Sequence, residues 1–309
     1  MPPTETGKEA LQRLKSGGKP AIAAALGNLE RHPEALASLA LLDAAFAAPL
    51  AHVVGLTGPP GVGKSTLAGV LIRLYRKQGR RVAVIAVDPS SRRSGGALLG
   101  DRTRLAHDPE DDGIFVRSMA ARDRLGGLAE LTIAAMVLLR SLYDIVLLET
   151  VGVGQSETDV ADCADTVVFC VQPGAGDSLQ FMKAGIVEIP HLVVVTKSDM
   201  GEAAARARAD VEGALELADG DGTPVEVLAL SAARGEGVGE LQAEIDRRWQ
   251  WLALDDRLAA QRRGQAQGWL VDGLRQRFGR RGLERAGEIA LAPDESPFAR
   301  LADLSKALG

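Results

Sequence analysis

The chain has 309 residues, which is enough for one large domain or for a core domain with extensions. Its 36 basic and 41 acidic residues give a formal net charge of −5, which argues against a nucleic-acid-binding surface. No apolar run reaches the roughly 18–20 residues that span a bilayer, so no membrane partner is expected. Cys163 and Cys170 are the only cysteines, which excludes a disulfide framework and suits a reducing cytoplasm.

The predicted elements begin with a helical segment and continue as an alternation of strands and helices. Residues 1–48 are rich in Ala and Leu and read as helical. The following apolar runs are mostly continuous, which is typical of strands buried on both faces of a parallel sheet. The predicted strands are Val53–Thr57, Val82–Val87, Ile114–Val116, Ile145–Leu148, Val167–Val171, Leu192–Val195 and Val225–Leu230. Helical patterns between them cover Ser65–Gln78, Leu125–Leu142 and Glu202–Leu217.

The pattern becomes helical again after Ser231, first over Glu240–Leu252 and then over an arginine-rich stretch at Arg257–Phe278. Strands that alternate with helices favour an α/β fold with a mostly parallel sheet flanked by helices. The predicted organisation is an N-terminal helical extension (1–48), a nucleotide-binding domain (49–235) and a C-terminal helical arm (236–309). The arm is the expected dimerisation element.

A phosphate-binding loop follows the first predicted strand. Residues 58–65, Gly-Pro-Pro-Gly-Val-Gly-Lys-Ser, fit G-x-x-x-x-G-K-[ST] between a strand and a helix, and therefore predict a P-loop NTPase. The backbone N–H groups and the helix N-terminus attract phosphate oxygens. Lys64 is expected to bridge the β- and γ-phosphates, and the Ser65 hydroxyl to ligate Mg²⁺. The predicted phosphate contacts come from Gly58, Pro60, Gly61, Val62, Gly63, Lys64, Ser65 and Thr66.

A second motif predicts which base is bound. The strand Leu192–Val195 runs into Thr196-Lys197-Ser198-Asp199, where Asp199 can accept hydrogen bonds from guanine N1–H and the 2-amino group. Adenine lacks these donors, so GTP and GDP are the expected ligands, with the Lys197 stem along the base plane. Most GTPases have asparagine where this chain has Thr196, whose hydroxyl makes fewer hydrogen bonds and should hold the loop less rigidly. The backbone of Ser231-Ala232 is expected to touch the guanine oxygen.

Three carboxylates are candidate groups around the magnesium ion, together with Ser65. Asp88 and Glu149 end predicted strands, and Asp101 lies in the glycine-rich segment 95–102. Glu149 begins Glu-Thr-Val-Gly at the place where signalling GTPases have D-x-x-G, so the N–H of Gly152 is expected to sense the γ-phosphate. The alternative for any one of these acids is a turn or helix-cap carboxylate.

The residue after this glycine predicts the rate of hydrolysis. Small signalling GTPases have glutamine there to orient the attacking water, whereas this chain has Val153, which neither donates nor accepts. Gln155 is a substitute candidate two residues further on. We therefore expect slow hydrolysis by the isolated protein and acceleration by another group or by a partner.

Several blocks resemble the MeaB-type family of GTPases, which also covers the ArgK and methylmalonic-aciduria type A proteins. They are Glu149–Glu157, Val87–Ser91, Gly100–Arg102, and Gln172–Gln180 with the following Lys183. The resemblance covers roughly residues 10–260. It implies a homodimeric G-protein that chaperones an adenosylcobalamin-dependent acyl-CoA mutase, such as methylmalonyl-CoA mutase or a relative, by gating cofactor loading, protection and reactivation.

The resemblance also implies roles for particular residues. Asp101 would lie in a first switch, Glu149–Glu157 in a second, and Gly174–Lys183 in a third that couples to the mutase. Lys183 would then supply the positive charge that accelerates hydrolysis, so that the catalytic candidates are Lys64, Glu149, Gln155 and Lys183. The alternative function is a nucleotide-dependent kinase of a lysine/arginine/ornithine transport system, although the sequence shows no separate acceptor site.

Overall fold

The structure is a computed structural model that describes residues 5–89, 105, 107–121, 130–150, 159–174, 190–216 and 225–309. Its contacts divide the chain into two compact units. The sheet unit comprises His52–Leu128 and Ile145–Ala253, and the helical unit comprises Met1–Ala51, Ala129–Asp144 and Leu254–Gly309. Within the described ranges, no helix combines the length and the apolar character needed to cross a membrane.

The sheet has seven strands in the order β3-β2-β4-β1-β5-β6-β7, and all neighbouring pairs are parallel. The strands are β1 (His52–Thr57), β2 (Val82–Pro89), β3 (Ile114–Ala121), β4 (Ile145–Glu149), β5 (Thr166–Val171), β6 (Leu192–Val195) and β7 (Glu226–Ala229). The helices are α1 (Gly7–Arg31), α2 (Leu36–Phe46), α3 (Lys64–Lys77), α4 (Glu130–Arg140), α5 (Glu202–Glu216), α6 (Val238–Leu252), α7 (Arg257–Ala286) and α8 (Pro297–Leu308). The predicted parallel α/β fold is confirmed.

Helices cover both faces of the sheet. Alternate residues along β5 and β6 point to opposite faces. Val168 and Val194 belong to one apolar core, which also contains residues of α3 and α6 such as Leu71. Phe169 and Val193 belong to a second core, which is closed by α5. This two-sided burial explains why the strands read as continuous apolar runs.

Two elements extend by five or more residues beyond their predicted bounds. β3 continues past the predicted Val116 to Ala121, because it is an edge strand that pairs with β2 along its whole length and needs no apolar run there. α7 continues past Phe278 through a kink at Gly279, whose φ of 64° suits glycine.

The helical unit has its own apolar core. Leu270 and Leu274 of α7 pack against Leu301 and Leu308 of α8. The Ser296 hydroxyl accepts a hydrogen bond from the backbone N–H of residue 298, and proline stands in the first turn of α8. The predicted C-terminal helical arm covers this segment without giving α8 its own bounds, although this serine–proline start was a readable signal.

Candidate nucleotide-binding site

The loop between β1 and α3 has a backbone that depends on glycine. Gly58, Gly61 and Gly63 have φ values of 127°, 78° and 101°, in the region that residues with a Cβ rarely adopt. A Cβ on Gly58 would lie 2.1 Å from the carbonyl oxygen of Cys170 on β5. The loop therefore requires glycine at 58 both for its backbone conformation and for its close approach to β5.

The amine of Lys64 is held inside this loop. Its side chain is buried, and Nζ donates hydrogen bonds to the carbonyl oxygens of Gly58 at 2.6 Å and Pro59 at 3.0 Å. Beside the loop is a cleft of about 460 Å³. It is lined by Pro60, Gly61, Gly63, Lys64, Ser65, Thr66, Ala86, Val87, Glu149 and Thr150. Lys64 thus lies at a cleft that begins at the N-terminus of α3, where anions are favoured.

Two of the four predicted magnesium ligands lie together at this cleft. The Ser65 hydroxyl donates to Glu149 Oε1 over 2.5 Å, and Glu149 is almost fully buried at the end of β4. A hydroxyl and a carboxylate are the hard oxygen ligands that Mg²⁺ takes. Asp88 lies near the end of the neighbouring β2, but its side chain is outside the described part of the structure, as is the whole of Asp101.

Thr196 links the base motif to the phosphate loop and to the end of β5. Its hydroxyl lies 2.8 Å from the carbonyl oxygen of Val62 in the phosphate loop and 2.9 Å from that of Val171 at the end of β5. Its backbone N–H also donates to Val171 at 2.8 Å. Because a hydroxyl carries one proton, the two carbonyls share a single donor. The buried Thr196 side chain therefore joins the two loops, which is a positioning role.

Lys197 reaches from the base motif to the phosphate loop. Its φ of 55° lies in the left-handed region, and its side chain is exposed. Nζ donates to the carbonyl oxygen of Gly61 at 3.3 Å and to Oε1 of Gln172. Sequence reasoning assigned Gln172 no part in nucleotide binding, although its position directly after β5 was an available signal.

The groups predicted to read guanine lie on two adjacent loops. The hydroxyl of Ser231, followed by the backbone N–H of Asp199 itself, holds the pKa of the exposed Asp199 carboxyl below its usual value. The N–H of Ser198 donates to the Leu230 carbonyl at 3.0 Å, which ties the two loops together. Ser231 is buried, and Ala232 is partly buried beside the core. Asp199 is therefore an ionised acceptor, which is the chemistry that guanine N1–H and its 2-amino group require; its role in base recognition stays a prediction.

Both cysteines lie in the interior of the sheet unit, as expected for structural thiols. Burial raises the pKa of the Cys170 thiol to about 12, despite the opposing charge of Lys64. A thiol with this pKa stays neutral at pH 7, so it offers neither a nucleophile nor a thiolate ligand.

The remaining predicted residues fall outside the described part of the chain. They are Gly152, Val153 and Gln155 of the expected second switch, and Lys183 of the expected third. The roles assigned to them stay predictions. The structure brings together the phosphate loop, Glu149 and the base motif.

Comparison with known proteins places this geometry among GTPases. Residues 22–284 match the family model described as methylmalonyl Co-A mutase-associated GTPase MeaB. A putative GTPase of Pyrococcus horikoshii is 41% identical over 260 residues, which cover 82% of this chain and 81% of that protein. The mouse methylmalonic aciduria type A homolog, described as mitochondrial, is 41% identical over 227 residues, which cover 72% of this chain and 55% of the homolog. A crystal structure titled LAO/AO transport system kinase has a TM-score of 0.67 at 29% identity, with 97% of both chains covered.

Proposed function

The chain belongs to the MeaB family of GTPases, and on this premise we propose that its GTP hydrolysis gates an adenosylcobalamin-dependent acyl-CoA mutase. The proposed client is methylmalonyl-CoA mutase or a relative, and the proposed action is control of cofactor loading, protection and reactivation. The observation that carries the proposal is the match of residues 22–284 to a family described as associated with methylmalonyl-CoA mutase. Membership of the family makes the chain a GTPase; the client is the proposed part.

The geometry at Glu149 supports a switch that reports the nucleotide state. Ser65 and Glu149 are the residues that would hold Mg²⁺, with Asp88 and Asp101 as the further proposed ligands. A bound Mg²⁺ supplies positive charge beside the β- and γ-phosphates. The next residue, Thr150, donates from its N–H to the Leu56 carbonyl at 3.1 Å and from its hydroxyl to Thr57 at 3.0 Å. Thr150 is therefore anchored to β1 at the cleft, which supports the proposal that the second switch begins here.

The proposed rate and assembly follow from the sequence. Val153 cannot orient water, so the isolated protein should hydrolyse GTP slowly, with Gln155 or Lys183 as the proposed accelerating group. Light scattering should find a homodimer if the C-terminal arm dimerises. The cytoplasm remains the proposed compartment, where the buried thiols of Cys163 and Cys170 stay reduced.

The deciding experiment measures GTP hydrolysis with and without a purified adenosylcobalamin-dependent methylmalonyl-CoA mutase. We expect the mutase to raise the rate by at least about tenfold, since one group aimed at the transition-state charge contributes on the order of 10²–10³ in rate. An Asp199→Asn variant provides a matched control. Its amide can donate to the 2-oxo group of xanthine, so mutase stimulation should move from GTP to XTP if this chain is the hydrolase.

The kinase alternative predicts a different result in the same assay. The similarity to the solved structure of a LAO/AO transport system kinase is the observation that favours this alternative. A rate unchanged by the mutase, with labelled phosphate appearing on a lysine/arginine/ornithine-binding protein, would overturn the chaperone proposal. Retention of the label as free phosphate together with mutase stimulation would support it.

A further inference from the structure

Gln172 lies beside the base-binding lysine without belonging to either nucleotide motif. It follows β5 directly, and its half-buried side chain places Oε1 against Lys197 Nζ. The same Nζ also donates to the Gly61 carbonyl, at the longer distance of 3.3 Å. Gln172 and Gly61 therefore both supply acceptors to the same amine.

A fixed acceptor for its amine reduces the conformational entropy that a lysine side chain loses when a ligand binds. Its four-carbon stem has many rotamers, and it loses this freedom when the stem is laid along a base. An acceptor that holds the amine before the nucleotide arrives reduces the ordering cost at the moment of binding. The left-handed backbone of Lys197, with φ of 55°, shows that the protein already fixes this residue in a sparsely populated conformation.

We propose that Gln172 is a positioning residue for guanine-nucleotide binding, which holds the amine of Lys197 at the phosphate loop so that the lysine stem is preset along the base plane. The Oε1 atom is the required group, because the amide N–H groups cannot accept from an ammonium. The inference deepens the nucleotide site and rests on GTP and GDP binding alone. It is independent of the mutase.

Three substitutions separate positioning from mere packing. Gln172→Met keeps the length of the side chain and removes the oxygen acceptor, and Gln172→Ala removes both. Gln172→Glu keeps an oxygen for the lysine and adds a charge. Gln78→Met is the matched control, because Gln78 is an exposed glutamine of the same unit, at the C-terminal end of α3.

The test measures the affinity and dissociation rate of fluorescent GDP and IDP. Gln172→Met and Gln172→Ala should weaken both nucleotides about 3- to 10-fold, through faster dissociation, as expected for loss of one hydrogen bond to a charged group at a partly exposed site. The GDP-to-IDP ratio should stay constant, because the lysine stem contacts the ring and Asp199 reads the 2-amino group that IDP lacks. Gln172→Glu should bind within about twofold of wild type, and Gln78→Met should bind like wild type.

A double-mutant cycle with Lys197→Met completes the test. If Gln172 acts through Lys197, Gln172→Met should add little to Lys197→Met. Additive losses would overturn the proposal, as would a GDP affinity of Gln172→Met equal to that of Gln78→Met. The proposal would also be overturned if Gln172→Met had a lower melting temperature and its partial unfolding at the assay temperature explained the whole loss of GDP affinity. Failure of the mutase assay leaves this reading untouched, because the cycle uses nucleotide and protein only.

Discussion

Replacing Thr196 by valine removes one hydroxyl from the junction of the phosphate loop and β5. Valine has nearly the same shape, so the change isolates the hydrogen bonds of Oγ1 to the carbonyl oxygens of Val62 and Val171. Val171 keeps a donor, because the backbone N–H of residue 196 still reaches it at 2.8 Å. The substitution therefore removes a hydrogen-bond donor mainly from the carbonyl oxygen of Val62, a fully buried residue.

The expected loss of stability is estimated from the Val62 carbonyl, which no longer accepts a hydrogen bond from the Thr196 hydroxyl. A buried polar group that loses its partner costs about 1–3 kcal/mol, and water that reaches the phosphate loop reduces this cost. We expect the free energy of unfolding of Thr196→Val to fall by about 1–2 kcal/mol, which is roughly a 5- to 30-fold change in the folded-to-unfolded ratio. GDP should also dissociate faster, because Val62 belongs to the loop that is predicted to surround the phosphates.

Urea unfolding followed by circular dichroism, together with fluorescent GDP release, measures both effects. Thr196→Ser keeps the hydroxyl and should retain most of the stability. Thr196→Asn offers two N–H donors, one for each carbonyl, and should bind GDP at least as tightly as wild type. If Thr196→Val unfolds at the urea midpoint of wild type with the same slope, the hydroxyl does not stabilise the junction between the phosphate loop and β5.

Gly58→Ala should lower the free energy of unfolding by more than about 3 kcal/mol or prevent folding, because the new Cβ would lie 2.1 Å from the β5 backbone. Gly79→Ala is the control. Gly79 also has a positive φ, of 77°, but no atom lies within 4 Å of the Cβ that alanine would add, so the change should cost only about 1 kcal/mol. Equal urea midpoints for the two variants would contradict the steric reading. Ser65→Ala should bind GDP but lose at least about 10²-fold in GTP hydrolysis, because it removes a proposed Mg²⁺ ligand; unchanged turnover at saturating Mg²⁺ would exclude that role. Burial, together with neighbouring cationic groups, lowers the pKa of His191 to about 3. The unfolded chain therefore binds the proton at a higher pH than the folded chain does. The free energy of unfolding falls as the pH drops below about 6.5, by up to about 1.4 kcal/mol per pH unit. The advantage in unfolding free energy of wild type over His191→Asn should therefore shrink between pH 7 and pH 4, and a constant difference would refute this assignment.

The strands and the phosphate loop could be predicted because their signals are local. The run Val53–Thr57 is apolar on both faces and lies at the centre of the sheet, where β1 is observed at His52–Thr57. The loop after it is defined by its own eight residues, and three of its glycines do have positive φ values. In each case the residues that determine the structure are neighbours in sequence.

The contacts that complete the site could not be predicted because they join distant residues. Thr196 and Val62 are separated by 134 positions, and Lys197 and Gln172 by 25. The sequence suggested that threonine would hold the base loop less rigidly than asparagine. It did not indicate that the hydroxyl would face two carbonyls, because that depends on the order of β1, β5 and β6 in the sheet.

Three consecutive residues at the end of β5 organise the nucleotide site. The Cys170 carbonyl limits the approach of Gly58, the Val171 carbonyl receives Thr196, and the Gln172 side chain receives Lys197. None of these contacts depends on the γ-phosphate, so changes at the end of β5 should alter GDP and GTP affinities by similar factors. Glu149, by contrast, lies where the γ-phosphate and its Mg²⁺ are expected, and changes there should separate the two nucleotides. On this proposal affinity depends on the end of β5 and signalling on the end of β4, so a variant at the end of β5 should bind nucleotide weakly and, once saturated with GTP, should still respond to the proposed mutase.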